Sequence, residues 1–247
     1  MPSRRKRTFQ ALLLALLGMY LLERAWSGQL LLYINQRFAI LVVLAGIGLV
    51  ALAQAAFQAR MTAGDGEEAE RGHAQAGGWL HSGLAWLALP LLVGVLVPVK
   101  ALGTSSLANR GIQLAAPFQV QSAAGTLLEK PPGQRSVLDW IRAFDEASDP
   151  AGMTGEPVDA IGFVYHDARL ADGQFLLARY TIACCIADAS AIGITVAWPA
   201  AAGLADNQWV RVQGEIAARQ LDGQSVPLVR ATQVTTIPEP AQPYLFP

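Results

Sequence analysis

The sequence predicts a membrane protein in two parts, a set of N-terminal transmembrane α-helices followed by a small, mostly-β domain with one short helix. Three observations predict it. At 53% hydrophobic and 15% charged residues, the chain is too apolar for an ordinary soluble domain and too polar for a pure bundle of spans. Its long apolar runs fall almost entirely in the first hundred residues. Beyond residue 136, short alternating segments are separated by Gly, Asp and Pro turn signals.

The membrane part is expected over 1–100, with about three spans, near 9–26, 38–57 and 83–99. The first run follows a basic cluster, Arg4, Arg5, Lys6 and Arg7, that imitates a secretory signal. Glu23, Arg24 and Trp26 stand where small cleavage-site residues belong, so it reads as a retained anchor with Tyr20 and Trp26 suited to an interface. The second run, Phe38 to Phe57, carries no charge and is long enough to span. The stretch between the two, SGQLLLYINQR, is apolar but short and fits either a tilted helix extension or an interfacial segment. The third run ends at Lys100 and contains Pro90, which membrane helices tolerate when neighbours satisfy the freed carbonyl. Between the second and third runs lies an acidic, Gly-rich stretch with Glu67, Glu68, Glu70 and His73, expected as a solvated loop.

Positive charge sets the expected orientation. With the N-terminus inside, Arg4, Arg5, Lys6, Arg7, Arg60 and Arg71 lie on the cytoplasmic side, against Arg24, Arg37, Lys100 and Arg110 outside. Three spans then make the protein a multi-pass cell-membrane protein in the lipid bilayer with its C-terminal domain extracytoplasmic. A count of two or four reverses that placement.

Residues 101–135 read as a linker, and 136–247 as the extracytoplasmic domain. In RSVLDWIRAFDEA, Val137, Leu138, Ile141 and Phe144 recur at helical spacing, with Ser136 as cap and Asp139 in the first turn. Five strand candidates follow: PVDAIGFVYHD, QFLLARYTIACC, GITVAWP, QWVRVQGEIAAR and VPLVRATQVTTI, with turns at Asp172-Gly173 and Asp222-Gly223. Five short strands and one helix suggest a small closed barrel, and the last two strands resemble the fourth and fifth of an OB-like barrel.

Several classes are excluded. A net charge of −1 leaves no basic surplus, so the barrel is not expected to bind nucleic acid. The chain has three histidines and no Walker A, G-x-G-x-x-G or H-E-x-x-H motif, so an enzyme is not expected.

The two cysteines of the chain are adjacent, Cys184 and Cys185, in RYTIACCIADAS. Three readings stay open. One thiol packs in the barrel, since strand neighbours point to opposite faces. Or the pair does redox work, although consecutive Cα atoms about 3.8 Å apart sit below the usual disulfide range of about 4.4 to 6.8 Å. Or a turn breaks the alternation and both thiolates hold a soft metal ion, with Asp188 as third ligand and His166 or Asp167 near in the preceding hairpin. Arg179, upstream in the same strand, is placed to lower a thiol pKa or pair with Asp188.

RYTIACCIADAS, IGITVAW, WVRVQGEI, the terminal PYLF and ANRG at 108–111 together resemble the YcgQ-like family of permease subunits. The most specific element is the C-C-x-A-D-A core at 184–189, and the resemblance covers most of the chain. It implies a membrane-anchored accessory subunit beside a larger multi-span permease, with a link to zinc. It also implies Arg179, Cys184, Cys185, Asp188 and Gly193 as ligand-binding positions. The expected cargo or cofactor is then zinc or another soft ion held by Cys184, Cys185 and Asp188. The alternative is an extracytoplasmic thiol-redox protein acting on a membrane partner.

Overall fold

In the computed structural model, the structure describes residues 4–62, 89, 92–97, 99–107, 111–113, 130–221 and 224–246. The chain divides into two units, Met1–Lys100 and Ala101–Pro247.

Among its described residues the first unit contains a helical hairpin. Helix α1 (Arg4–Trp26) and helix α2 (Gln36–Thr62) include stretches, Thr8–Trp26 and Gln36–Ala59, that are long and apolar enough to cross a membrane. At 1.5 Å per residue, stretches of this length reach roughly the 30 Å of a bilayer core. Their outer faces expose Leu12, Leu16, Met19, Ile40, Leu41, Leu44 and Ile47, as lipid-facing helices do. The expected third span lies partly outside the described residues; Leu89 and 92–96 of it are described as helical, and two stretches pass the length and apolarity test among the described residues. The acidic stretch with Glu67, Glu68, Glu70 and His73 also lies outside them.

α1 stops where Gly28 takes a φ of 75°, a left-handed conformation that glycine adopts without steric cost. A short 3-10 turn (Gln29–Leu32) follows, so the apolar stretch after α1 forms a separate turn rather than extending the helix. The buried Asn35 then caps α2, its Oδ1 accepting from the Arg37 N–H at 3.0 Å. The helices approach closely at glycines. A Cβ on Gly18 would lie 2.7 Å from the Gly46 carbonyl oxygen and 2.8 Å from Val50 Cγ2. In lipid, where no hydrophobic force drives helices together, such small residues allow the backbone contact that holds a pair.

The second unit contains a helix that the sequence anticipates closely. α3 (Val137–Glu146) is capped by Ser136, whose Oγ accepts from the Asp139 N–H, while the Asp139 carboxylate accepts from the Ser136 N–H at 2.8 Å. Val137, Trp140, Ile141 and Phe144 are buried against Val158, Phe175, Leu177, Ile194, Val196, Val210 and Val229 of the strands. Each large side chain fully buried there contributes about 1.5–3 kcal/mol relative to exposure. Arg135 lies over the Trp140 ring at 4.8 Å and pairs with Glu156 at 2.6 Å.

Among the described residues seven strands form one sheet, the first before α3 and six after it: β1 (Ile112–Gln113), β2 (Pro157–Tyr165), β3 (Gln174–Thr181), β4 (Ser190–Ala197), β5 (Trp209–Leu221), β6 (Gln224–Thr236) and β7 (Tyr244–Leu245). The five expected strand segments are β2 to β6. Antiparallel pairing joins β2 to β3, β3 to β4, β5 to β6 and β2 to β5, and β4 runs parallel to β6 through Thr195↔Leu228. The pairings therefore form a cycle in which every long strand has a neighbour on both sides. Gly214 sits at a bulge against β6, where a Cβ would come 2.1 Å from the Arg230 carbonyl oxygen. The expected turn at Asp222-Gly223 lies outside the described residues.

Two differences from expectation bear on the site. β3 ends at Thr181, three residues before the cysteines, because Thr181 is the last residue paired to β4, opposite Ser190. Part of the expected linker also belongs to this unit. Ile112 and Gln113 pair with β4, the Leu102 N–H donates to Tyr244 Oη at 2.9 Å, and Tyr180 Oη donates to the Gly103 carbonyl at 3.0 Å. β3 is consequently buried along its length, with Leu176, Ala178 and Tyr180 as inaccessible as Phe175 and Leu177.

Candidate functional site

The loop 182–189 leaves β3 at one of the best-fastened points of the fold. β7 runs beside the end of β3, pairing Tyr180↔Tyr244 and Thr181↔Leu245, and the Ile182 N–H donates to the Leu245 carbonyl at 3.0 Å. Thr181 Oγ1 also donates to the Ser190 carbonyl across the base of the hairpin. The chain beyond this base no longer pairs as a ladder and turns through a 3-10 segment (Ile186–Asp188).

Asp188 organises the turn. Its Oδ1 accepts from the Ala183 N–H at 3.0 Å, and its Oδ2 from the Cys184 N–H at 2.7 Å and the Cys185 N–H at 3.3 Å. One carboxylate thus satisfies three consecutive backbone donors that the loop cannot pair internally. The turn overrides strand alternation and brings both sulfurs to one side, 3.6 Å apart. Both cysteines are free thiols. One ligand atom from each of Cys184, Cys185 and Asp188 lies within 4.8 Å of the others. Cys184 and Asp188 are exposed and Cys185 is half-buried.

The electrostatics of the three groups are linked. The Asp188 carboxylate beside Cys184, then the neighbouring Cys185 sulfur, push the Cys184 thiol up to about 11. For Asp188, desolvation favours the acid, but the Cys184 thiol and the three N–H donors together outweigh it and hold the carboxyl below its usual range. At neutral pH the loop therefore offers a carboxylate beside a protonated thiol. That state is a poor nucleophile, because the thiolate is the attacking species in exchange. It is compatible with metal binding, in which the ion displaces thiol protons. The sulfur separation suits such an ion. Two Zn–S bonds of about 2.3 Å at the tetrahedral angle place their sulfurs about 3.8 Å apart, whereas a disulfide needs about 2.05 Å.

The other expected site residues are not gathered here. Arg179 is buried, with Nη1 donating to the Ile161 carbonyl, Nη2 to the Gln242 carbonyl, and its guanidinium 5.1 Å over the Trp209 ring. None of these partners is in the loop, and among the described residues no ion pair joins Arg179 to Asp188. Burial lowers the Arg179 pKa to about 10, and the Cys184 thiol is raised, by Asp188 and Cys185, rather than lowered. Gly193 pairs with Ala178 inside the sheet, where a Cβ would lie 3.0 Å from Ile112 Cδ1, so its small size admits β1. His166 contacts the Asp206 carboxylate through Nδ1 at 2.8 Å and the Ala201 carbonyl through Nε2 at 3.1 Å. Asp167 is bonded to Arg169, which holds its carboxyl below the usual range. Neither is in the metal-ligand group with the cysteines.

Sequence reasoning missed one framework. Phe163 stacks on Tyr180 and meets Trp209 edge-on, both at 5.8 Å between centroids, beside Arg179. The alternation of β2, β3 and β5 hints at which residues share a face, but the pairing Phe163↔Trp209 depends on register.

Comparisons with known proteins match the chain in two parts. Residues 9–113 match the DUF1980 N-terminal domain and residues 138–247 the DUF1980 C-terminal domain. The "UPF0703 protein YcgQ" of Bacillus subtilis is 26% identical over 111 residues, 44% of this chain and 39% of that protein. The "Putative two-component membrane permease complex subunit" of Streptococcus mutans is 22% identical over 200 residues, 65% of this chain and 71% of that protein. The match thus spans well under half the length of the first relative. A small single-stranded DNA-binding protein from Streptomyces coelicolor is similar at 18% identity and a TM-score of 0.22, over 34% of this chain and 96% of that one. With both domains in tandem, the chain belongs to the YcgQ-like family of DUF1980 proteins.

Proposed function

We propose that this chain is a membrane-anchored accessory subunit of a permease, whose C-terminal domain binds a soft metal ion, zinc foremost, as cargo through Cys184, Cys185 and Asp188. The observation that carries the metal reading is the convergence of two sulfurs at 3.6 Å with a carboxylate held in place beside them. The membrane role is supported by the two long apolar helices and by the printed description of the Streptococcus mutans relative as a permease complex subunit. The partner is then a larger multi-span permease on which the spans dock. The proposal keeps three spans, multi-pass insertion and an extracytoplasmic C-terminal domain.

An OB-like barrel is the fold proposed for that domain. The cycle β2-β3-β4-β6-β5-β2, with its parallel β4–β6 closure, supports this reading. Arg179 and Gly193 are proposed to act on the site through the strands that carry it. The thiol-redox alternative needs a ready thiolate, and the raised Cys184 pKa disfavours it.

The test is made on the full chain purified in detergent under reducing conditions. Zinc and copper content is measured beside the free thiol count, for the wild type and a Cys184→Ser, Cys185→Ser double variant. One ion per chain, lost in the double variant, is the expected result. A metal-free protein that cycles between two thiols and none would replace this reading with the redox one. A C-terminal reporter active only in the cytoplasm would overturn the orientation.

A further inference from the structure

We infer that the Cys184–Cys185–Asp188 loop is an open, three-ligand transfer site, which holds its ion while leaving one coordination position for a thiolate or imidazole donor of a partner protein. This inference rests on the metal-binding reading above and specifies how that site works.

Ligand number is the first argument. Among the described residues, the group holds three donors and no fourth His, Cys, Asp or Glu joins them. Structural zinc sites close with four protein ligands, whereas sites that exchange a ligand keep the fourth position open. Access is the second. Cys184 and Asp188 are exposed, and so are Ala183 and Ala187 beside them, whose side chains are single methyl groups.

The third argument is rigidity at the base combined with exposure at the tip. The loop springs from the paired residues Thr181 and Ser190, and Ile182 is bonded to Leu245 of β7. The Asp188 carboxylate is fixed by three N–H donors before any ion arrives. A donor set pre-organised in this way lets an incoming ligand attack the ion without waiting for the loop to refold.

The exchange balances in protons and bonds. On loading, each metal–sulfur bond that forms releases that thiol's proton, and the carboxylate adds its oxygen without proton loss. On transfer, the partner's donor first enters the open position, then replaces the loop's ligands in turn, and each departing sulfur takes back a proton. No electrons move.

The experiment uses the full chain in detergent, loaded with zinc, its stoichiometry read first. Zinc removal is then timed by stopped flow against a chromophoric pyridylazo chelator standing in for the partner. The expected result is a rate proportional to chelator, about tenfold faster for tenfold more chelator, because attack at the open position precedes release. A rate independent of chelator concentration would mean a closed site that must lose its ion first, and would overturn the inference while leaving metal binding intact. A second variant, Ala187→His, supplies a fourth donor from within the loop. It is expected to retain one zinc and to lose the chelator dependence, and retention of the full dependence counts against the open position. A wild type that binds no zinc overturns both the inference and the reading beneath it.

Discussion

Tyr20 donates its hydroxyl to the carbonyl oxygen of Gly94 at 2.9 Å, across 74 residues of sequence. Arg24 Nη2 donates to the same oxygen at 3.1 Å, with its guanidinium 4.9 Å over the Tyr20 ring. The reason is covalent. In a helix the Gly94 carbonyl would accept from the N–H four residues on, and that residue is Pro98, which has none. An apolar environment offers no water to replace it, so side chains from α1 do.

Removing these donors tests that account. Tyr20→Phe is expected to cost about 0.5–1 kcal/mol, because Arg24 still serves the carbonyl, and Tyr20→Phe with Arg24→Met more than the sum of the single changes. Gly94→Ala places a methyl 2.5 Å from Tyr20 Oη and is expected to cost more than Tyr20→Phe alone. Thermal unfolding of the detergent-solubilised chain measures all four, and additivity of the two single changes would contradict the shared acceptor.

Metal affinity at the cysteine loop is expected to rise with pH. The Cys184 thiol lies at about 11, so throughout the neutral range the ion must expel that proton, and each pH unit gained makes this easier by up to about tenfold. Zinc titrations between pH 6 and 8 with buffered competitor measure the slope. A flat profile would show that Cys184 is not a ligand.

Asp188→Ala is expected to free the Ala183, Cys184 and Cys185 amides together, since one carboxylate serves all three. Hydrogen exchange reads this directly as loss of protection at those three positions, with protection in β3 and β4 unchanged. Asp188→Asn retains an acceptor oxygen and should retain part of the protection.

Acid stability of the C-terminal unit is expected to depend on Asp139. Desolvation favours its acid form, but the Ser136 N–H, Lys130 and the Ser136 hydroxyl together lower its pKa below the ordinary 3.8. A carboxyl depressed in the folded state contributes stability that is present above its unfolded value and is lost as pH falls through the folded value. Unfolding midpoints should therefore fall below about pH 4 in the wild type, and less steeply in Asp139→Asn. At neutral pH the variant should cost about 1–2 kcal/mol, the worth of a helix cap.

Arg179→Met separates a framework residue from a ligand. It should loosen the tail by removing the bond to the Gln242 carbonyl, seen as faster amide exchange at Tyr244 and Leu245, while one zinc is still bound. Loss of zinc with an unchanged tail would return Arg179 to the site.

What the sequence determined by itself is what local periodicity and covalent chemistry control. The uncharged run of α2, the cap of α3 at Ser136 and Asp139, and the five segments that become β2 to β6 all follow from residues within a few positions of each other. The nearness of Cys184, Cys185 and Asp188 was legible for the same reason, as they span five residues. Tertiary structure alone decided the rest. That both sulfurs face one way depends on β3 stopping at Thr181, and that stop depends on its register with β4. Arg179 reads as a partner for the loop until packing turns it to the carbonyls of Ile161 and Gln242, 18 and 63 residues away. The segment 101–107 reads as a linker because it is polar, yet the hydroxyls of Tyr180 and Tyr244 hold its backbone. In each case the deciding contact joins residues distant in sequence, where register and burial, rather than any nearby pattern, select the partner of a polar group.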